Sequence, residues 1–101
     1  MNSEKERFEK YKKKLLEIIA KQLTECKVYL FGSRARGIYQ PGADIDLALD
    51  AGKPIDFRVL FKIQDEIEDS TIPLMVDLVD LHSVSDKLRN EVKKEGVLWK
   101  I

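Results

Sequence analysis

The sequence predicts a single small α/β (α+β) domain, residues 1–101, and three observations carry that reading. Its 101 residues suffice for one hydrophobic core and leave no room for a second. Near the start of the chain an apolar stripe recurs at the three-to-four spacing of an amphipathic helix. Beyond it, short runs of β-branched, aromatic and leucine residues alternate with helical patterns and with glycine or proline breaks, as strands interleaved with helices do.

From Glu4 to about Leu23, the residues Phe8, Tyr11, Leu15, Ile18, Ile19 and Leu23 line one helix face, while "EKYKKK" loads the other with charge. Those lysines are interspersed with Glu4, Glu6, Glu9 and Glu17, so the face reads as solvated and not as a nucleic-acid patch. "KVYLF", ending at Phe31, is a buried strand with Gly32 as its boundary, and a short helix starts there. "DIDLAL" alternates polar and apolar at first and then becomes apolar, as a strand does when its beginning opens onto a cleft. Pro54 and Asp56 mark a turn and a helix start; Phe57, Leu60, Phe61, Gln64 and Ile67 follow as a helical face, and Pro73 closes the segment. "LMVDLVDL", Leu74 to Leu81, is a third strand. "SVSD", Ser83 to Asp86, is a capping box for a last helix running through Lys94 and stopping at Gly96. The apolar tail of Val97, Leu98, Trp99 and Ile101 reads as core closure or an edge strand, with a dimer or partner surface as the alternative.

Composition excludes several function classes. Eighteen Lys plus Arg balance eighteen Asp plus Glu, so there is no excess positive charge to favour direct binding to nucleic acid or to an anionic membrane. The one cysteine, Cys26, has no internal disulfide partner, and with the one histidine, His82, there is no His/Cys set for zinc. This usage suits a reducing cytoplasm, and the charged N-terminus and short apolar runs predict neither a signal peptide nor a membrane span. Cys26 is expected to be buried, His82 to lie at the surface, and Asp50 and Asp56 to serve a turn and a helix cap.

The chemistry concentrates in "FGSRARG" and the two aspartates that follow it. N–H groups in the first turn of a helix have no intrahelical partner and sit at the positive end of its dipole, so a glycine-serine pair between a strand and a helix start can wrap an anion. Gly32 removes the side chain that would hold a phosphate away from the backbone, Ser33 has a hydroxyl to donate, and Arg34 or Arg36 can add charge. A Walker A loop is excluded although Gly32 and Gly37 are suitably spaced, because Ile38 and Tyr39 stand where that loop needs Lys and Ser or Thr. Alternate strand residues point to one side, so Asp44 and Asp46 project together, roughly 7 Å apart along the chain. Two such carboxylates can share a pair of Mg2+ ions that bridge a nucleoside triphosphate. A third acid, Asp77 or Asp80 of "VDLVDL", would complete the set and help deprotonate an attacking hydroxyl. Those two lie three apart and face opposite sides of a strand, and parity alone does not choose between them.

Gly32-Ser33, ten intervening residues, Asp44-Ile45-Asp46 and a downstream "VDLV" together resemble the signature of the minimal nucleotidyltransferases, the small MNT branch of the DNA polymerase β-like nucleotidyltransferase superfamily. The resemblance runs from the strand before Gly32 to the closing "EGVLWKI", and it implies the nucleotidyltransferase fold, a small mixed β-sheet packed with helices. It further implies that Gly32 and Ser33 contact the nucleotide phosphates, with Arg34 and Arg36 nearby. Asp44 and Asp46 would bind the metals, and Asp77 would be the third carboxylate. Ala43 departs from the family's frequent serine at that place. Larger relatives carry an added helical domain for the acceptor substrate, and none is visible here, so the acceptor is expected to come from another protein. The family implies transfer of AMP from ATP, with Mg2+, to a tyrosine of a partner HEPN-domain RNase toxin, which would make this chain an antitoxin. Two alternatives stand beside that expectation: a catalytically silent nucleotide- or toxin-binding module, and a small-molecule nucleotidyltransferase working as a homo-oligomer.

Overall fold

The computed structural model describes residues 3–100. Helix α1 (Ser3–Gln22) presents Leu15, Ile18 and Ile19 inward, all of them almost fully buried, and these belong to the stripe read from the sequence. Four strands follow in the chain, β1 (Lys27–Phe31), β2 (Ile45–Asp50), β3 (Val76–Asp80) and β4 (Val97–Lys100), and they form one mixed sheet in the order β3-β2-β1-β4. β1 pairs antiparallel with both β2 and β4, while β2 and β3 run parallel. A parallel pair needs a long crossover, and α3 (Phe57–Glu68) supplies it. The two remaining helices are the one-turn α2 (Gly32–Arg36) and α4 (Asp86–Glu95).

The strands' period-two alternation splits the sheet into two faces. Val28, Leu30, Ile45, Leu47 and Leu49 point to the larger cluster under α1 and α3, together with Ile63, Ile67 and Val76. Each such side chain stabilises the fold by about 1.5–3 kcal/mol when fully buried, so this face holds most of the core. A Lys21–Glu66 ion pair joins the two helices at its margin. On the opposite face Phe31 and Ala48 pack with Leu81 and Val92 under α4. Cys26 is buried as expected, and burial pushes its thiol up to about 11, which keeps it inert.

Four details depart from the sequence reading. Phe57 and Phe61 are exposed, at 77% and 71%, and the buried face of α3 is formed by Ile63 and Ile67 with Val59 and Leu60 at its flank. That helix ends at Glu68, before Pro73 is reached, where the Ser70 hydroxyl donates to the Ile67 carbonyl. β3 is shorter than Leu74 to Leu81. The cap of α4 is Ser85, whose Oγ accepts from Leu88 N–H at 3.2 Å, because Ser83 is drawn away to donate to Asp80 Oδ2. The apolar tail forms the edge strand β4, with Trp99 set edge-on against Phe8 of α1; Ile101 lies outside the described residues.

Asp56 caps α3 by accepting from Arg58 N–H at 2.8 Å, and Asp50 accepts from Gly52 N–H in the turn after β2. His82 is half-exposed and its Nε2 lies 2.7 Å from Asp50 Oδ1. No described helix is long and apolar enough to cross a membrane.

Candidate active site

The position of the site follows from pairing register. Asp46 is the second residue of β2; across one edge it faces Phe31 of β1, and across the other it faces Asp77 of β3. Adjacent strands lie about 4.8 Å apart, so the side chains of Asp46 and Asp77 leave the sheet side by side on its α4 face. Phe31 is also the last residue of β1, and α2 starts at the next residue, so the same register brings the Gly32 backbone against Asp46. Gly32 has φ +77°, and a Cβ built on it would lie 2.4 Å from Asp46 Oδ2. Only a residue without a side chain lets helix start and carboxylate meet.

Asp44 sits just before β2, exposed, two residues from Asp46. Its charge reaches Asp46: burial first, then Asp77 and Asp44, raise the Asp46 carboxyl above the ordinary carboxylate range, with Arg36 opposing and Glu91 adding to the rise. Asp46 therefore lies within electrostatic reach of both other aspartates. They are arrayed along two strand ends at the surface, and among the described residues no three His, Cys, Asp or Glu groups close around a single point. The donor set fits a hard cation: carboxylate oxygens only, mutually repelling, beside a backbone approach that a Cβ would fill.

Asp80, the other acid left open by parity, is excluded from this cluster. It pairs with Leu49, sits on the opposite side of β3 from Asp77 and is 5% exposed. Its oxygens accept from Ile55 N–H at 2.8 Å, His82 N–H at 3.0 Å and Ser83 Oγ at 2.9 Å. It is a joint between β3 and the loops that lead into α3 and α4. Asp80→Ala would strand these donors in a buried place and is expected to cost about 2–3 kcal/mol in urea unfolding, while the folded fraction keeps its specific activity.

The arginines divide. Arg36 places Nη1 3.4 Å from Glu95 Oε1 and 3.7 Å from Glu91 Oε2, both on α4, and it favours the ionised form of Asp46. Arg34 is buried and turned to the loop before β2: its Nε donates to Ala43 O and its Nη2 to Pro41 O, each at 3.1 Å. Ser33 stands in the first turn of α2 next to Gly32, and the N-cap residue Phe31 has no side-chain acceptor for that turn's N–H groups. Glu91 and Glu95 have no counterpart in the sequence reading. An acid pair four apart on a helix carries no signal beyond solvation, and only the packing of α4 near α2 gives it a partner.

The family model described as polymerase beta nucleotidyltransferase matches residues 13–99. The chain belongs to this nucleotidyltransferase family. Among curated nucleotidyltransferases it is 31% identical over 85 residues to a Haemophilus influenzae protein named probable protein adenylyltransferase MntA, covering 83% of this chain and 75% of that one. It is likewise 31% identical over 88 residues to the Shewanella oneidensis protein adenylyltransferase MntA, covering 85% of this chain and 63% of the relative's length. A crystal structure of a toxin-antitoxin with AMP-PNP superposes with a TM-score of 0.75 at 27% identity, over 89% of this chain and 73% of that chain. The tri-AMPylated Shewanella oneidensis HEPN toxin in complex with its MNT antitoxin gives 0.72 at 25% identity, over 92% and 72%. A nucleotide substrate and a divalent metal go with this family. The mixed sheet expected of a nucleotidyltransferase fold is the sheet observed.

Proposed function

We propose that this domain transfers AMP from ATP to a hydroxyl acceptor, a tyrosine of a partner HEPN-domain toxin, and so acts as an antitoxin in the cytoplasm. The observation that carries the reading is the register that sets Asp46 opposite Asp77 and against Gly32. The names of the relatives supply the acceptor class.

In this reading Asp44, Asp46 and Asp77 hold two Mg2+ ions, which supply positive charge to the phosphoryl oxygens when bound. Gly32 and Ser33 receive the β and γ phosphates on the N–H groups of α2 and the Ser33 hydroxyl. Arg36 exchanges Glu91 and Glu95 for two oxygens of a phosphate, a bidentate match that suits its guanidinium. The acceptor oxygen attacks the α-phosphorus, its bond to the β-bridging oxygen breaks, and pyrophosphate leaves. Asp77, exposed on the edge strand, takes the proton of the attacking hydroxyl.

The test is incubation with α-labelled ATP, Mg2+ and the protein encoded beside this one. Label is expected on the partner, and is expected to vanish with the Asp44→Asn, Asp46→Asn double variant. Full protection from the toxin by that variant would replace this reading with one of silent binding.

A further inference from the structure

Two charged side chains are buried among the described residues, Asp80 and Arg34, and the fold accounts for the first. Burial of a guanidinium is tolerated only where its donors are used. Arg34 uses them on the backbone of a single loop. It also lies over two rings, with Cζ 4.9 Å from the centroid of Phe8 and 4.6 Å from that of Tyr39. The two carbonyls it binds, those of Pro41 and Ala43, flank Gly42, and Ala43 is the residue joined to Asp44. A turn bond from Ala43 N–H to Gln40 O shapes this loop without attaching it to the domain. The guanidinium provides the attachment, running from α2 to the loop, with Phe8 of α1 beneath it.

We infer that Arg34 is a positioning residue: by clamping the carbonyls of Pro41 and Ala43 it fixes the entry of the chain into β2 and so holds Asp44 beside Asp46 and Asp77 for a shared divalent cation. This rests on the proposed reading of those aspartates as metal ligands. It differs from the phosphate contact expected of Arg34 from the sequence, since a guanidinium turned toward phosphate would abandon two carbonyls and two ring faces together. Lysine carries the charge but has neither the planar fork nor the stacking surface, so Arg34→Lys isolates geometry from charge.

The experiment titrates Mn2+ alone into the full chain, read by electron paramagnetic resonance, for wild type, Arg34→Lys, Tyr39→Leu and Asp46→Asn. ATP binding in EDTA and amide exchange over residues 40–43 are measured beside it. Arg34→Lys is expected to weaken Mn2+ binding by about 10- to 100-fold, as loss of a group that orients a ligand does, to speed exchange at 40–43 and to leave ATP affinity in EDTA unchanged. Tyr39→Leu, at a half-exposed ring that the core does not depend on, is expected to weaken Mn2+ binding by about two- to fivefold. Fluorescence of Trp99, the one tryptophan, reports whether the edge-on contact with Phe8 survives, and if Arg34→Lys does not fold the Tyr39 variant decides. Wild-type Mn2+ affinity in the folded Arg34→Lys variant would overturn the inference, as would a loss of ATP affinity in EDTA with Mn2+ binding intact. Unchanged Mn2+ binding in Asp46→Asn would overturn the metal assignment itself and this inference with it.

Discussion

Gly32→Ala is expected to lower adenylyl transfer by about a hundredfold while costing the fold only about 1–2 kcal/mol. Two separate effects converge on that position. A backbone at φ +77° is left-handed, where an L-residue with a Cβ is strained by about 1–2 kcal/mol, and this appears as lost stability in urea. The new methyl would also stand 2.4 Å from Asp46 Oδ2, well inside contact distance, so the carboxylate must move. The neighbouring backbone is fixed by β1–β2 pairing, which leaves rotation of the Asp46 side chain out of its place between Gly32 and Asp77 as the available relief. Displacement of a reacting or coordinating group by about 1 Å is enough to cost about 10²-fold in rate. Gly42→Ala serves as the control, because a Cβ there meets nothing within 4 Å and the backbone has no positive φ. It should leave both rate and stability near wild type. Full activity in Gly32→Ala would show that the approach of α2 to Asp46 is irrelevant to the chemistry.

The local signals in the sequence were strong where one element sufficed to decide and weak where two had to meet. The stripe of Leu15, Ile18 and Ile19 and the strand "KVYLF" are local patterns, and the structure realises both. The choice between Asp77 and Asp80 is of another kind. Both are compatible with a strand, and it is the parallel register of β2 and β3 that puts Asp77 beside Asp46 and turns Asp80 toward loop N–H groups. Helix α3 shows the same limit: Phe57, Phe61 and Ile67 make a passable apolar stripe, but one that overlaps the stripe of Ile63 and Ile67. Only the sheet beneath selects the second and leaves the aromatics in water. Arg34 was legible as a charge near the glycine-serine pair, though not as a buried clamp. Its partners are carbonyl oxygens seven and nine residues on, and a carbonyl looks the same at every position of a sequence.

Asp46→Asn is expected to yield a protein that is more stable and inactive. With Asp46 as the metal carboxylate proposed above, its loss would remove several kcal/mol of charge stabilisation at the reacting phosphoryl group, so transfer should fall by about three orders of magnitude. Stability should move the other way in metal-free buffer. Burial and the charges of Asp77 and Asp44 raise the Asp46 carboxyl in the folded state, so between the unfolded and folded values the native chain holds the extra proton. Stability then declines as pH rises through that window and stays reduced above it, because folding at neutral pH must confine an ionised carboxylate among two others. Asparagine removes that cost at pH 7 and confers no advantage below the ordinary carboxylate range, where wild-type Asp46 is protonated in both states. The melting temperature of the variant should therefore exceed that of wild type at pH 7 in EDTA, with the gap closing as pH is lowered toward about 3.9. Mg2+ should reverse the order: at a concentration a hundredfold above its dissociation constant a ligand adds about 2.7 kcal/mol to the protein that binds it, and the variant lacks a carboxylate proposed to bind it. A like-charged cluster that lowers stability until a cation is added is what the proposed metal site predicts. A variant less stable than wild type at pH 7 without metal, or equally stabilised by Mg2+, would dissolve that argument.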